Sequence, residues 1–117
     1  MEIVNVNRIK KTKLGGDHGG ALFQRALGRG TDKPDLMMSM RGVSRITVPP
    51  GESNVVHTHE AEEQIYVILR GRGVVQVGEE TREAGAGDLV YLPAKVSHGF
   101  HNTSEKTCVL LNVGAKV

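Results

Sequence analysis

Two histidines one residue apart, His57 and His59, are the first candidates for chemistry in this chain. Side chains on a strand alternate between faces, so residues i and i+2 point the same way. His57 and His59 can therefore reach into one cavity while Thr58 points out. Gln64 follows five residues after His59, at the head of the apolar run IYVIL. A short turn over 60–63 would run the next strand back beside the first and set Gln64 across from the histidine pair. Two imidazoles and a side-chain oxygen from adjacent strands begin a site for a first-row metal. Such a set needs a further ligand, and His98 in LPAKVSHGFHN is the candidate.

Strands must carry these residues, and the rest of the chain supplies them. With 117 residues there is material for one domain and one core. Fifteen glycines, many β-branched residues and no long helical period predict a turn-rich β protein. EIVNVNRI alternates apolar and polar residues and reads as an edge or interface strand. LGGDHGG is a loop, and its His18 reads as an ordinary exposed histidine. ALFQRALG reads as a strand. MMSMRGVSRITV reads as one long strand bent at Gly42, with Met38 and Met40 packed in the core. Pro49-Pro50-Gly51 stops it. Residues 55–59 and 64–69 are the two ligand-bearing strands. GRG at 71–73 is expected to close a hairpin, and GEE at 78–80 to turn into TREAG. LVYLP, SHGFHN and TCVLLNV complete about ten strands joined by tight turns, a closed or sandwich-type all-β fold.

Composition narrows the function classes. The net charge is +2 with a pI near 8.9, and the cluster RIKKTK is expected to be a solvated strand end. Two tyrosines and two phenylalanines, with no tryptophan, make no stacking array, so no nucleic-acid partner is expected. IYVIL is too short to cross a membrane, and the first residues lack an apolar signal core. A cytoplasmic protein with no membrane partner is the expectation. The single cysteine, Cys108, has no intrachain disulfide partner and reads as a small buried hydrophobe.

Two spaced motifs then give the chain a family likeness. Gly51, five residues, His57-Thr58-His59, four residues, Gln64, six residues, Gly71 resembles the first cupin motif, G(X)5HXH(X)3-4E(X)6G, with Gln in the Glu place. Gly87, five residues, Pro93, Lys95, two residues, His98, three residues, Asn102 resembles the second, G(X)5PXG(X)2H(X)3N, with Lys in a Gly place. The resemblance to small single-domain cupins implies a double-stranded β-helix or jelly-roll barrel. Residues 1–35 would be N-terminal strands and loops, and 36–117 the barrel core. It also implies His57, His59, Gln64 and His98 as metal ligands, and a homodimer formed through N-terminal strands. Lys95 in a glycine place would be mildly strained. Glu63 competes with Gln64 for the fourth position, but Gln64 keeps both spacings, and strand parity puts the two on opposite faces. Glu62 shares the parity of Gln64 and is a candidate for a supporting group.

Three imidazoles and an amide oxygen are neutral, so one divalent ion (Mn, Fe, Co, Ni or Zn) would keep its full charge in the site. It would attract a small anionic ligand and polarise an oxygen on it as a Lewis acid. Isomerase or lyase chemistry on a sugar acid or carboxylate fits this charge balance better than dioxygen activation. A binding or sensing module without turnover is the alternative, and a dioxygenase a further one. Tyr66, in step with Gln64, is the candidate acid–base group. Arg25, Arg41 and Arg45 lie on predicted strands, where each can grip a carboxylate.

Overall fold

The computed structural model describes residues 1–57 and 61–117. Two short 3-10 turns, Val6–Arg8 and Gly16–His18, accompany ten strands among these residues. The strands are β1 (Thr12–Lys13), β2 (Leu22–Gly28), β3 (Met40–Val48), β4 (Ser53–Val56), β5 (Glu62–Arg70), β6 (Arg72–Val77), β7 (Glu80–Gly85), β8 (Leu89–Leu92), β9 (His98–His101) and β10 (Cys108–Lys116). They form a six-stranded sheet, in the order β1-β2-β3-β10-β5-β8, and a four-stranded sheet, in the order β4-β9-β6-β7. Every recorded pairing is antiparallel. The expected all-β jelly-roll architecture is what the chain adopts.

Alternation builds the core. Phe23 on β2, Ile46 and Val48 on β3, Tyr66 and Ile68 on β5, and Leu110 on β10 turn their side chains away from solvent. Val75 on β6 and Phe100 on β9 meet them from the other sheet within one apolar cluster. Cys108 is fully buried in this cluster, as its apolar run predicts. Each side chain of this size withdrawn from water contributes about 1.5–3 kcal/mol.

β4 pairs with β9, whereas β5 pairs with β10 and β8. β4 ends at Val56, so His57 falls beyond the strand expected over 55–59, and β4 and β5 are not neighbours in one sheet. They lie in opposite sheets, and Gln64 and His57 line one cavity between them. The expected hairpin at 71–73 is corrected in the same way: β5 and β6 belong to different sheets, and the chain turns the corner at Gly71 with φ 87°. A Cβ there would lie 2.6 Å from the Cys108 sulfur, so only glycine fits. The hairpin between β6 and β7 forms as expected.

Residues 2–5 form no strand, and the 3-10 turn follows them. Gln24 donates its Nε2 to the carbonyls of Val6 and Ile9, at 3.1 and 2.8 Å, which holds the backbone in a turn. The alternation in EIVNVN buries little, for Ile3 is 82% exposed. Met38 and Met40 are also exposed rather than packed, because β3 begins only at Met40 and the preceding turn leaves the sheet. Lys95 has φ 63°, the left-handed conformation that its place in the second motif predicts.

Candidate metal centre

A cavity of about 370 Å³ opens between the sheets at the end where β4, β5 and β10 meet. Gln64, Glu62 and Asn112 line it from the six-stranded sheet, and His57 and Asn54 from the segment around β4. The sheet register explains this. Gly42, Gly114 and Gln64 stand in one cross-strand row, and Ser44, Asn112 and Tyr66 in the next. The two glycines keep the floor beside Gln64 low.

Gln64 donates its Nε2 to Glu62 Oε1 at 3.1 Å. A carboxylate accepts only, so this contact fixes the amide orientation and leaves Oε1 as the unengaged atom. Glu62 is nearly buried and pairs with the Arg29 guanidinium, whose Nη2 lies 3.2 and 3.1 Å from the two carboxylate oxygens. Glu63, the competing ligand, is hydrogen-bonded to the exposed Tyr91 on the outer face.

His98 opens β9 opposite Val56 and Val77 and is 3% exposed. Its ring packs edge-on against Tyr66, with centroids 5.7 Å apart. Burial pushes its pKa down, favouring neutral imidazole, and the Glu62 charge opposes this. Tyr66 is fully buried, and its hydroxyl accepts from Asn54 Nδ2 at 3.3 Å. Burial drives the Tyr66 pKa far above the ordinary phenol value, so it stays protonated at neutral pH.

Among the described residues, four buried side-chain atoms make no well-formed hydrogen bond: Gln64 Oε1, Asn112 Oδ1 and both nitrogens of His98, whose ring has the Val96 backbone close by. An unsatisfied buried polar group costs about 1–3 kcal/mol. The two oxygens are acceptors only, and a neutral imidazole adds one acceptor to one donor. Gln64 and Asn112 line the cavity, whereas His98 is not among its lining residues. An excess of lone pairs over protons suits a cation, and neutral N and O donors suit a divalent first-row metal.

His57 lines the same cavity but is exposed, with Nε2 3.6 Å from Asp17 Oδ2. His59 lies outside the described residues. Among the described residues no three His, Cys, Asp or Glu side chains come together to hold a metal. The proposed set needs Gln64 and His59, so that observation leaves it open.

Sequence reasoning passed over two residues at this cavity. Asn112 is in step with the buried Cys108 and Leu110 of its strand, so a polar residue at inward parity was its signal. His18 is half-buried, not exposed: its Nδ1 lies 2.5 Å from Asn54 Oδ1 and its ring meets Phe23 edge-on. Nothing local in LGGDHGG announces that contact. Of the arginines, Arg25 lines the cavity. Arg45 instead donates to Gln24 on another surface. Asn102 of the second motif is a clamp, since its Nδ2 donates to the Val48 and Lys106 carbonyls.

The chain is 36% identical over 70 residues to an oxalate-binding protein of Thermotoga maritima, covering 60% of this chain and 58% of that one. It is also 36% identical over 62 residues to an uncharacterised protein of Methanocaldococcus jannaschii, covering 53% and 50%. The chain thus spans about half the length of the curated relatives it matches. In three dimensions it resembles a predicted oxalate decarboxylase from Thermotoga maritima, with a TM-score of 0.85, 25% identity and coverage of 99% of this chain and 100% of that one. No helix among the described residues is long and apolar enough to cross a membrane. Residues 44–114 match the family model described as the cupin domain, and the chain belongs to that family.

Proposed function

We propose that the chain binds one divalent metal through His57, His59, Gln64 and His98, and through it a small carboxylate. The carrying observation is the acceptor-rich set of buried, unpartnered atoms on Gln64, Asn112 and His98. A bound ion would supply Lewis acidity toward the ligand's oxygens. The chain's own groups do the rest. Glu62 holds Gln64 with Oε1 unengaged, and Arg29 balances the Glu62 charge. Arg25 at the cavity wall draws an anion inward. Phe23, Leu14 and Val56 make the remaining wall apolar, which strengthens polar contacts inside. Tyr66, protonated and buried, acts as a positioning residue that braces Asn54 and His98.

The cavity, about 370 Å³, sits near the small end of the range of about 300–1,000 Å³ usual for ligand pockets. Together with the likeness to an oxalate-binding protein, this favours a short carboxylic acid over a sugar acid. Elemental analysis of protein purified without chelator, followed by thermal shift with short carboxylic acids, tests the proposal. About one metal per chain and a ligand-dependent rise in Tm only with metal present are expected. Absence of metal, or equal shifts with and without it, would overturn it.

The likeness to a predicted oxalate decarboxylase favours a second reading, lyase turnover at the same centre. Release of carbon dioxide from oxalate by the metal-loaded protein distinguishes it from binding alone. A homodimer belongs to the same proposal. The exposed Ile65, Leu89 and Tyr91 on β5 and β8 support association through that sheet face. Sedimentation velocity at micromolar concentration tests it.

A further inference from the structure

His18 stands in the eight-residue segment between β1 and β2, whose other members include four glycines. The loop lies hard against β4. A Cβ on Gly19 would come within 2.6 Å of the Ser53 carbonyl oxygen, and one on Gly20 would meet the Glu52 carboxylate. The Gly20 amide donates to Glu52 Oε2 at 2.9 Å. These contacts deliver His18 to the cavity wall, where its ring rests edge-on against Phe23 at 5.3 Å.

Asn54 sets the orientation of that ring. It is 1% exposed and spends its Nδ2 on the Tyr66 hydroxyl, so its Oδ1 is the atom that meets His18 Nδ1. An amide oxygen accepts only, so the proton lies on Nδ1. Nε2 then has no protein partner among the described residues. A residue positioned by a buried asparagine, with its second nitrogen unspent on a cavity wall, is built to meet something inside that cavity.

We propose that His18 determines specificity: its Nε2 takes the far carboxyl group of a ligand whose near carboxyl group is held at the Gln64 end. The pocket would therefore prefer dicarboxylic over monocarboxylic acids. The inference rests on the carboxylate-binding reading above. Nε2 and an ionised carboxylate both only accept, so the N–H···O bond between them requires one proton taken up from solvent together with the ligand. Arg25, two residues beyond Phe23 on the same face of β2, adds a cation to that end. Arg29 is committed to Glu62, so Arg25 is the arginine of the pair set to serve the ligand. A monocarboxylic acid would leave both groups without a ligand partner.

Isothermal titration of oxalate, malonate and acetate into metal-loaded protein tests this, with metal content measured before each run. Wild type, His18→Phe and His18→Gln are compared. Equal metal content is expected in all three. In His18→Phe, dicarboxylate affinity should fall about tenfold or more while acetate affinity stays within about twofold. His18→Gln keeps an amide in place of the ring nitrogen and should recover part of the loss. An unchanged dicarboxylate affinity, or equal losses for all three acids, would overturn the role of His18 alone. A His18→Phe protein that loses metal would overturn it too, by placing His18 in the ion's own shell. Wild type that holds metal but takes up none of the acids would bring down the carboxylate reading, and this inference with it.

Discussion

Glu62 and Gln64, two residues apart on one face of β5, are joined by a 3.1 Å bond from the amide nitrogen to the carboxylate. That bond decides which end of Gln64 is left for the cavity. Groups that orient a ligand in this way usually account for about 10–100-fold in metal affinity. Glu62→Ala should therefore weaken metal binding by about that factor, with the fold intact. Competition titration against a chromogenic chelator measures it. Unchanged affinity would show that the orientation of Gln64 is irrelevant to the ion.

His98 is a liability to the metal-free protein, because neither of its buried nitrogens makes a well-formed hydrogen bond among the described residues. His98→Leu removes that penalty and keeps a similar volume. With chelator present, the variant should gain about 1 kcal/mol, a rise of about 4 °C in Tm. In the same variant, metal content should drop to background. A variant that melts lower than wild type in chelator would mean that the imidazole nitrogens are satisfied after all.

Cys108 is sealed from solvent, and its sulfur donates to the Arg72 carbonyl at 3.4 Å. Alkylation of the folded protein should run slower than that of a free thiol by about three orders of magnitude or more, through opening of the structure alone. Burial also raises the thiol pKa. A raised folded value means the unfolded chain ionises first, so this contribution is intact below about pH 8.5 and lost as pH climbs further. Cys108→Ala should flatten that alkaline decline. Urea midpoints at neutral and alkaline pH, for wild type and variant, provide the comparison.

Lys95 takes a conformation that glycine adopts without strain. Lys95→Gly should stabilise the protein by up to about 1 kcal/mol, since relief of strain is offset by added unfolded-state freedom. Lys95→Val should cost about 2 kcal/mol or more, because a branched Cβ tolerates positive φ poorly. Urea denaturation reads both, and metal content should stay constant.

Much of this architecture could be read from the chain before folding. Gly51, Gly71 and Gly87, the motif glycines, all sit at positive φ, so their spacing records where the chain must turn sharply. Period-two alternation put Tyr66 in step with Gln64, and Tyr66 is fully buried. Sheet membership was not legible. Tight spacing between 59 and 64 suggested neighbouring strands, yet β4 and β5 pair elsewhere, since a turn's length does not say whether the chain folds back or crosses over. The contacts of His18 with Asn54 and of Arg29 with Glu62 bridge 36 and 33 positions, and no local period encodes them. The failed strand at EIVNVN shows the converse: alternation without a partner edge buries nothing.

Because His98 stands on β9 in one sheet and Gln64 on β5 in the other, these two candidate donors straddle the fold. An ion gripped from both sides would act as a cross-brace, resisting any motion that parts the two leaves at their open end. Amide exchange in β5 and β9 should then slow together on metal addition and quicken together on chelation, while β6 and β7, which carry none of the candidate donors, change far less.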